Sequence, residues 1–136
     1  MKALVLKEPG KAVVEEVPEP VAAAGGLRLK VRMVGLCGSD LKSYQGMNPL
    51  VTFPRILGHE VAATIDSGLD GATIETTNVA VSPYTHCGSC ASCRRNRPNA
   101  CQFNQTLGVQ RDGAMTDFIT MAKEKVFPSK LALREL

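Results

Sequence analysis

CGSCASCRRNRPNAC, residues 87–101, decides how this chain folds, because its four cysteines are spaced to close on a single zinc ion. Structural zinc takes four thiolates at tetrahedral corners about 2.3 Å away. Two-residue gaps let one tight loop offer Cys87, Cys90 and Cys93 before the chain curls back with Cys101. Two disulfides are the other reading. They suit small secreted domains, whereas four cysteines crowded into one loop of a 136-residue chain make no even framework, and nothing else looks secreted. His86 adjoins Cys87, but adjacent residues rarely reach one ion and four thiolates saturate it, so His86 reads as a solvated loop residue.

Outside that loop, 136 residues suffice for one ordinary domain with its own core and are too few for two of full size. The net charge of +3 comes from 16 basic and 13 acidic residues, a mild imbalance. The one basic cluster, Arg94, Arg95 and Arg97, sits inside the cysteine loop and is weak ground for nucleic-acid binding. The apolar start of MKALVLKEPG meets Glu8 and Pro9 at once, unlike a signal peptide. No run approaches the ~18 apolar residues of a membrane span. The expectation is a soluble, cytoplasmic protein whose reduced cysteines are free for zinc.

Short valine-rich alternating runs separated by Pro and Gly predict strands at 2–7, 27–34, 59–65, 79–81 and 115–121. The best helix signal covers 39–45, with Ser39 or Asp40 as cap and Gly46 as terminator. AAAGG at 22–26 reads as a loop between strands. LALREL at 131–136 has the spacing of a starting helix, and the chain reads as cut there.

The fifth cysteine opens a second constellation. Cys37 lies in GLCGSD (35–40), and His59 and Glu60 lie in GHE (58–60), offering one thiolate, one imidazole and one carboxylate. Three protein ligands with a position left open is the catalytic arrangement of zinc, as opposed to the closed four-thiolate one. Singly, each residue has a plainer reading: a small buried hydrophobe, a satisfied histidine, a chance tripeptide. Beside a separate four-cysteine site, the three together read as a metal centre.

Taken along the chain, MKAL, GLCGSD, FPRILGHE, VAVSPY, CGSCASC, NAC and RDGAMTDF resemble the amino-terminal, GroES-like catalytic domain of the zinc-dependent medium-chain alcohol and polyol dehydrogenases, particularly the sorbitol dehydrogenase-like members. The resemblance covers essentially the whole chain, taken as one domain over 1–136. It implies a β-rich α+β fold, a partly open GroES-like barrel with a zinc-binding lobe at 84–105. It implies two zinc ions per chain, one held by Cys37, His59 and Glu60. In that family the carboxylate of GHE is either a ligand or a neighbour that swaps in. Asp40 would orient the ligand histidine, and Ser39 would touch the substrate oxygen and pass its proton outward. Zinc would then acidify a bound alcohol whose carbon gives hydride to a nicotinamide.

Three positions depart from the family pattern. Lys42 stands where relatives often carry a relay histidine, and a lysine keeps its proton at neutral pH, so the relay is expected to run through water. Thr77 and Asn78 replace a Gly-Asp turn, a change expected to alter only a surface turn. Gly113 and Ala114 replace a Gly-Gly pair, which a local backbone shift would absorb.

No GxGxxG follows a strand anywhere, so the Rossmann domain is expected to be absent and NAD or NADP to bind through a domain this chain lacks. Alone, the chain is then expected to show no turnover and no tight NAD binding. The fourth catalytic ligand would be water or a residue beyond Leu136. The substrate would be a small secondary alcohol, polyol or sugar derivative, and the full-length parent a homodimer or homotetramer. Two other classes compete: a stand-alone zinc-binding interaction module without catalysis, and a nucleic-acid-binding zinc ribbon. Ribbons pair two separated CxxC knuckles, whereas this loop is one compact lobe.

Overall fold

Val61 to Ile65 are buried without a break, so the strand that carries them has no solvent face and must sit among neighbours. The computed structural model describes residues 1–22, 24–67 and 78–130. Among these run β1 (Lys2–Glu8), β2 (Lys11–Glu16), β3 (Gly26–Gly35), β4 (Arg55–Ile56), β5 (Glu60–Ser67), β6 (Asn78–Val81), β7 (Phe118–Ala122) and β8 (Val126–Pro128), with helices α1 (Gly38–Tyr44) and α2 (Ala91–Arg94). The fully buried run belongs to β5, at the centre of a five-stranded sheet ordered β7-β3-β5-β6-β8. A second sheet, β2-β1-β4, has three strands, and every pairing is antiparallel.

The sheets meet at one edge. Leu4 N–H donates to the Met115 carbonyl at 2.8 Å, Ala3 bridges Thr116, and Lys2 N–H reaches the Asp117 carboxylate at 2.9 Å. The result is the partly open, strand-rich barrel that the sequence implied. Leu29, Ala63, Val79, Leu107, Ala114, Ile119 and Met121 fill its main core. Ala3, Val5 and Ile56 form a smaller cluster under β1. No parallel pair joins any of the strands described, so these residues contain no nucleotide-binding sheet of the Rossmann kind.

Several local expectations shift. β2, β4 and β8 were not anticipated. β7 begins at Phe118 and not at 115, because Met115 bonds to Leu57 and Leu4 and leaves the line of the sheet. The α1 cap is Cys37, not Ser39 or Asp40. Asp40 still serves the helix start from inside it: its carboxylate accepts the Cys37 N–H at 3.0 Å, the reciprocal half of a capping box. Gly46, at φ +74°, terminates the helix as read. The predicted loop at 22–26 ends earlier, since Gly26 already opens β3. The expected helix at LALREL, the loop residue Ala23 and the departure at Thr77 lie outside the described residues.

After β6 the chain makes an excursion and returns on itself. Thr85 N–H donates to Asn104 Oδ1 at 3.0 Å, Gln105 N–H to Thr85 Oγ1 at 2.7 Å, and Leu107 N–H to the Pro83 carbonyl at 2.9 Å. Leu107 anchors the return in the main core. Between these ties lie α2 and a 3-10 turn at Pro98–Ala100.

Candidate metal centres

Inside the excursion the four sulfurs of Cys87, Cys90, Cys93 and Cys101 all lie within 4.8 Å of one another, and none forms a disulfide. Two opposite edges measure 4.0 Å (Cys87 to Cys93) and 3.9 Å (Cys90 to Cys101). Four thiolates about 2.3 Å from one ion would stand about 3.8 Å apart at tetrahedral corners. The donor set therefore fits zinc in number, softness and spacing.

Backbone amides point at the same sulfurs. Cys90 N–H donates to Cys87 Sγ at 3.3 Å, while Cys87 N–H and Phe103 N–H each reach Cys101 Sγ at 3.4 Å. With no cation, these groups cannot all ionise. The Cys90 amide, with the Ser89 amide and hydroxyl, lowers the Cys87 pKa to about 6, whereas burial, reinforced by the Cys90 sulfur, pushes Cys93 up to about 11. A bound dication is what would let four thiolates coexist. His86 is exposed and outside the cluster. Arg94, Arg95 and Arg97 face solvent, Arg94 folding back to bond the Ser89 carbonyl.

The second cluster is assembled at the ends of two neighbouring strands. Cys37 follows the end of β3 and caps α1, while His59 and Glu60 stand at the start of β5. One ligand atom from each of Cys37, His59 and Glu60 lies within 4.8 Å of the others. The donor set again fits zinc, with one thiolate, one imidazole and one carboxylate converging and a position left over. Glu60 is exposed, and Cys37 and His59 are half-buried. The Ser39 hydroxyl and amide, and then His59, hold the Cys37 thiol below its usual range.

Asp40 organises both arms of this cluster from the first turn of α1. It is 4% exposed, and its two oxygens accept the Cys37 N–H at 3.0 Å and the Gly58 N–H at 3.3 Å. The buried His59 Nδ1 makes no hydrogen bond and faces Asp40 Oδ1 at 3.6 Å. That leaves Nε2 toward the cluster, where Ser39 Oγ stands 3.4 Å away. Ser39 is itself fixed through its carbonyl, which accepts the buried Ser43 hydroxyl at 2.8 Å. Lys42 is an exposed residue of the last helical turn.

Sequence reasoning missed what holds the turn before His59. Gly58 adopts φ +95° and is crossed by two other glycines. A Cβ on Gly108 would stand 2.7 Å from the Gly58 carbonyl oxygen and 2.8 Å from its nitrogen, and a Cβ on Gly113 would overlap the Leu57 and Gly58 carbonyls. Gly113 N–H bonds the Ile56 carbonyl at 2.7 Å and Ala114 N–H the Gly58 carbonyl at 3.0 Å. The only hint in the sequence was glycine in LGV and RDG, segments far along the chain from GHE.

The chain is similar to known proteins along most of its length. The profile of the alcohol dehydrogenase GroES-like domain matches residues 23–131. An uncharacterized zinc-type alcohol dehydrogenase-like protein of Haemophilus influenzae is 42% identical over 123 residues, covering 88% of this chain and 36% of that protein. Sorbitol dehydrogenase of Bacillus subtilis is 36% identical, covering 99% of this chain and 40% of its own length. RspB, a short chain alcohol dehydrogenase of Escherichia coli CFT073 solved with NADH, superposes with a TM-score of 0.83 at 32% identity, over 94% of this chain and 38% of its own. The chain thus spans between 36% and 40% of the length of these relatives.

Proposed function

The chain belongs to the alcohol dehydrogenase GroES-like domain family, and we propose that it is the catalytic portion of a zinc-dependent, nicotinamide-linked oxidoreductase acting on a secondary alcohol, polyol or sugar derivative. The observation that carries this reading is the meeting of Cys37, His59 and Glu60 on the wall of a cavity of about 610 Å³. Zinc bound there would supply Lewis acidity that lowers the pKa of an alcohol oxygen toward neutrality. Cys37, His59 and Glu60 are the residues that would hold it, leaving one position for the alcohol.

Ser39 Oγ, beside His59 Nε2, is the group in reach to accept the alcohol proton. Asp40 keeps the two arms of the site in register by holding the amides of Cys37 and Gly58. Met33, Val61 and Val81 offer the substrate's carbon skeleton an apolar wall. Cys87, Cys90, Cys93 and Cys101 would hold a second, structural zinc whose binding contributes folding free energy. The hydride acceptor, NAD or NADP, would bind through a separate nucleotide-binding domain. Five free cysteines support a reducing, cytoplasmic setting. Among the described residues, no helix is long and apolar enough to cross a membrane.

The test is a chimera in which this chain replaces the matching part of RspB. Alcohol- or polyol-dependent NADH formation that His59→Ala abolishes is the expected result. A chimera that folds, binds NADH and carries both metals, yet oxidises no secondary alcohol or polyol, contradicts the catalytic reading and favours a metal-binding interaction module.

A further inference from the structure

Glu60 stands directly opposite Gly35, the last residue of β3. Residues paired across antiparallel strands share a face, with Cβ atoms ordinarily about 4.5–5.5 Å apart. Here a Cβ on Gly35 would come within 2.9 Å of the Glu60 Cβ and 3.3 Å of its carboxyl carbon, and would overlap Oε2. The Glu60 side chain therefore lies folded over Gly35 instead of standing up from the sheet. That direction carries the carboxylate to Cys37, two residues beyond Gly35, and to His59. Gly35 is not among the residues with positive φ, so its backbone would accept any side chain. Space is the reason for glycine here.

We propose that Gly35 is a positioning residue for the open cluster, its missing Cβ being the passage through which Glu60 reaches Cys37 and His59. The proposal rests on the reading of that cluster as a zinc site. A methyl group at 35 would turn the carboxylate outward and leave Cys37 and His59 as a two-ligand remnant, without altering the four-sulfur lobe.

The experiment titrates Co²⁺ into the wild-type chain, Gly35→Ala, Glu60→Gly and the double variant. Thiolate charge-transfer bands separate a four-sulfur environment from a one-sulfur environment. Gly35→Ala is expected to weaken metal at the open cluster by at least about 10- to 100-fold, the loss that removing a mere supporting partner of a ligand already causes. Glu60→Gly should match it, the double should be no weaker than either, and the lobe should bind unchanged throughout. Should Gly35→Ala also lose the lobe's metal through unfolding, the double decides, because Glu60→Gly removes the three atoms nearest the new Cβ. Recovery of the lobe in the double supports the proposal, and a double as unfolded as the single overturns it. Wild-type affinity in Gly35→Ala, or penalties that add in the double, would overturn this inference alone. A wild-type chain binding metal only in the lobe would overturn the zinc reading and this inference with it.

Discussion

The lobe gathers its four sulfurs from residues 87–101, whereas the open cluster draws three donors from the ends of two different strands, joined through the sheet and through Asp40. In the lobe the amides of Cys87, Cys90 and Phe103 bond the sulfurs, so local chain conformation and metal geometry are one problem. At the open cluster, position depends on Asp40, on the paired strands β3 and β5, and on the glycines that cross Gly58. The lesson is a division of labour. On the reading proposed above, a site closed by its own loop would stabilise the fold, and a site closed by the fold would be free to leave a coordination position for substrate.

The largest break in that comparison should come from Cys101→Ser. Cys101 is buried and accepts two amides, so losing its thiolate should empty the lobe and cost several kcal/mol of stability. Elemental analysis and a melting curve check it, and a variant without lobe metal that melts like the parent would refute the structural assignment. Asp40→Ala should come next. It strips the acceptor from the Cys37 and Gly58 amides, at about 1–3 kcal/mol each. Its second signature is loss of metal from the open cluster with the lobe still loaded, read by the same two measurements.

How much of this was written in the sequence follows from where each interaction lives. Cys87, Cys90, Cys93 and Cys101 are legible because their spacing is the geometry. Cys37, His59 and Glu60 were grouped by ligand type beside the four-cysteine site and given their roles by the resemblance, since nothing in their separation says that β3 and β5 pair. The strands β1, β3, β5, β6 and β7 were readable from alternation and valine content. β2 was not, since it is an edge strand whose Val14 is 67% exposed, and its KAVVEE pattern has no clear buried face. β8 spans three residues, too few to show a period. The α1 cap was misassigned because serine and aspartate lead among capping types. The structure instead uses Asp40 from the first turn to satisfy the Cys37 amide. The crossing of Gly58 by Gly108 and Gly113 is tertiary packing and leaves no local trace.

Smaller effects sharpen the contrast. Gly108→Ala combines φ +72° with a Cβ pressed on the Gly58 peptide, and should cost about 1–3 kcal/mol by thermal melting. It should weaken the open cluster more than the lobe, and equal loss at both would place the damage in the fold as a whole. Lys42→Ala should do least. An exposed lysine in the last turn of α1 should shift stability by no more than about 0.5 kcal/mol and leave both metals in place. In the RspB chimera it should also leave most of the activity, and a loss as deep as that of His59→Ala would make Lys42 part of the proton path.

Unequal metal retention is the expectation, because one cluster is complete in itself and the other is held open. It is tested most directly by adding a chelator to the zinc-loaded chain together with a thiol alkylator, and following each cysteine by peptide mass spectrometry. Fewer protein ligands and an open position favour faster release. Cys37 should therefore be labelled well before Cys87, Cys90, Cys93 and Cys101. Labelling of the four lobe cysteines ahead of Cys37 would contradict the account.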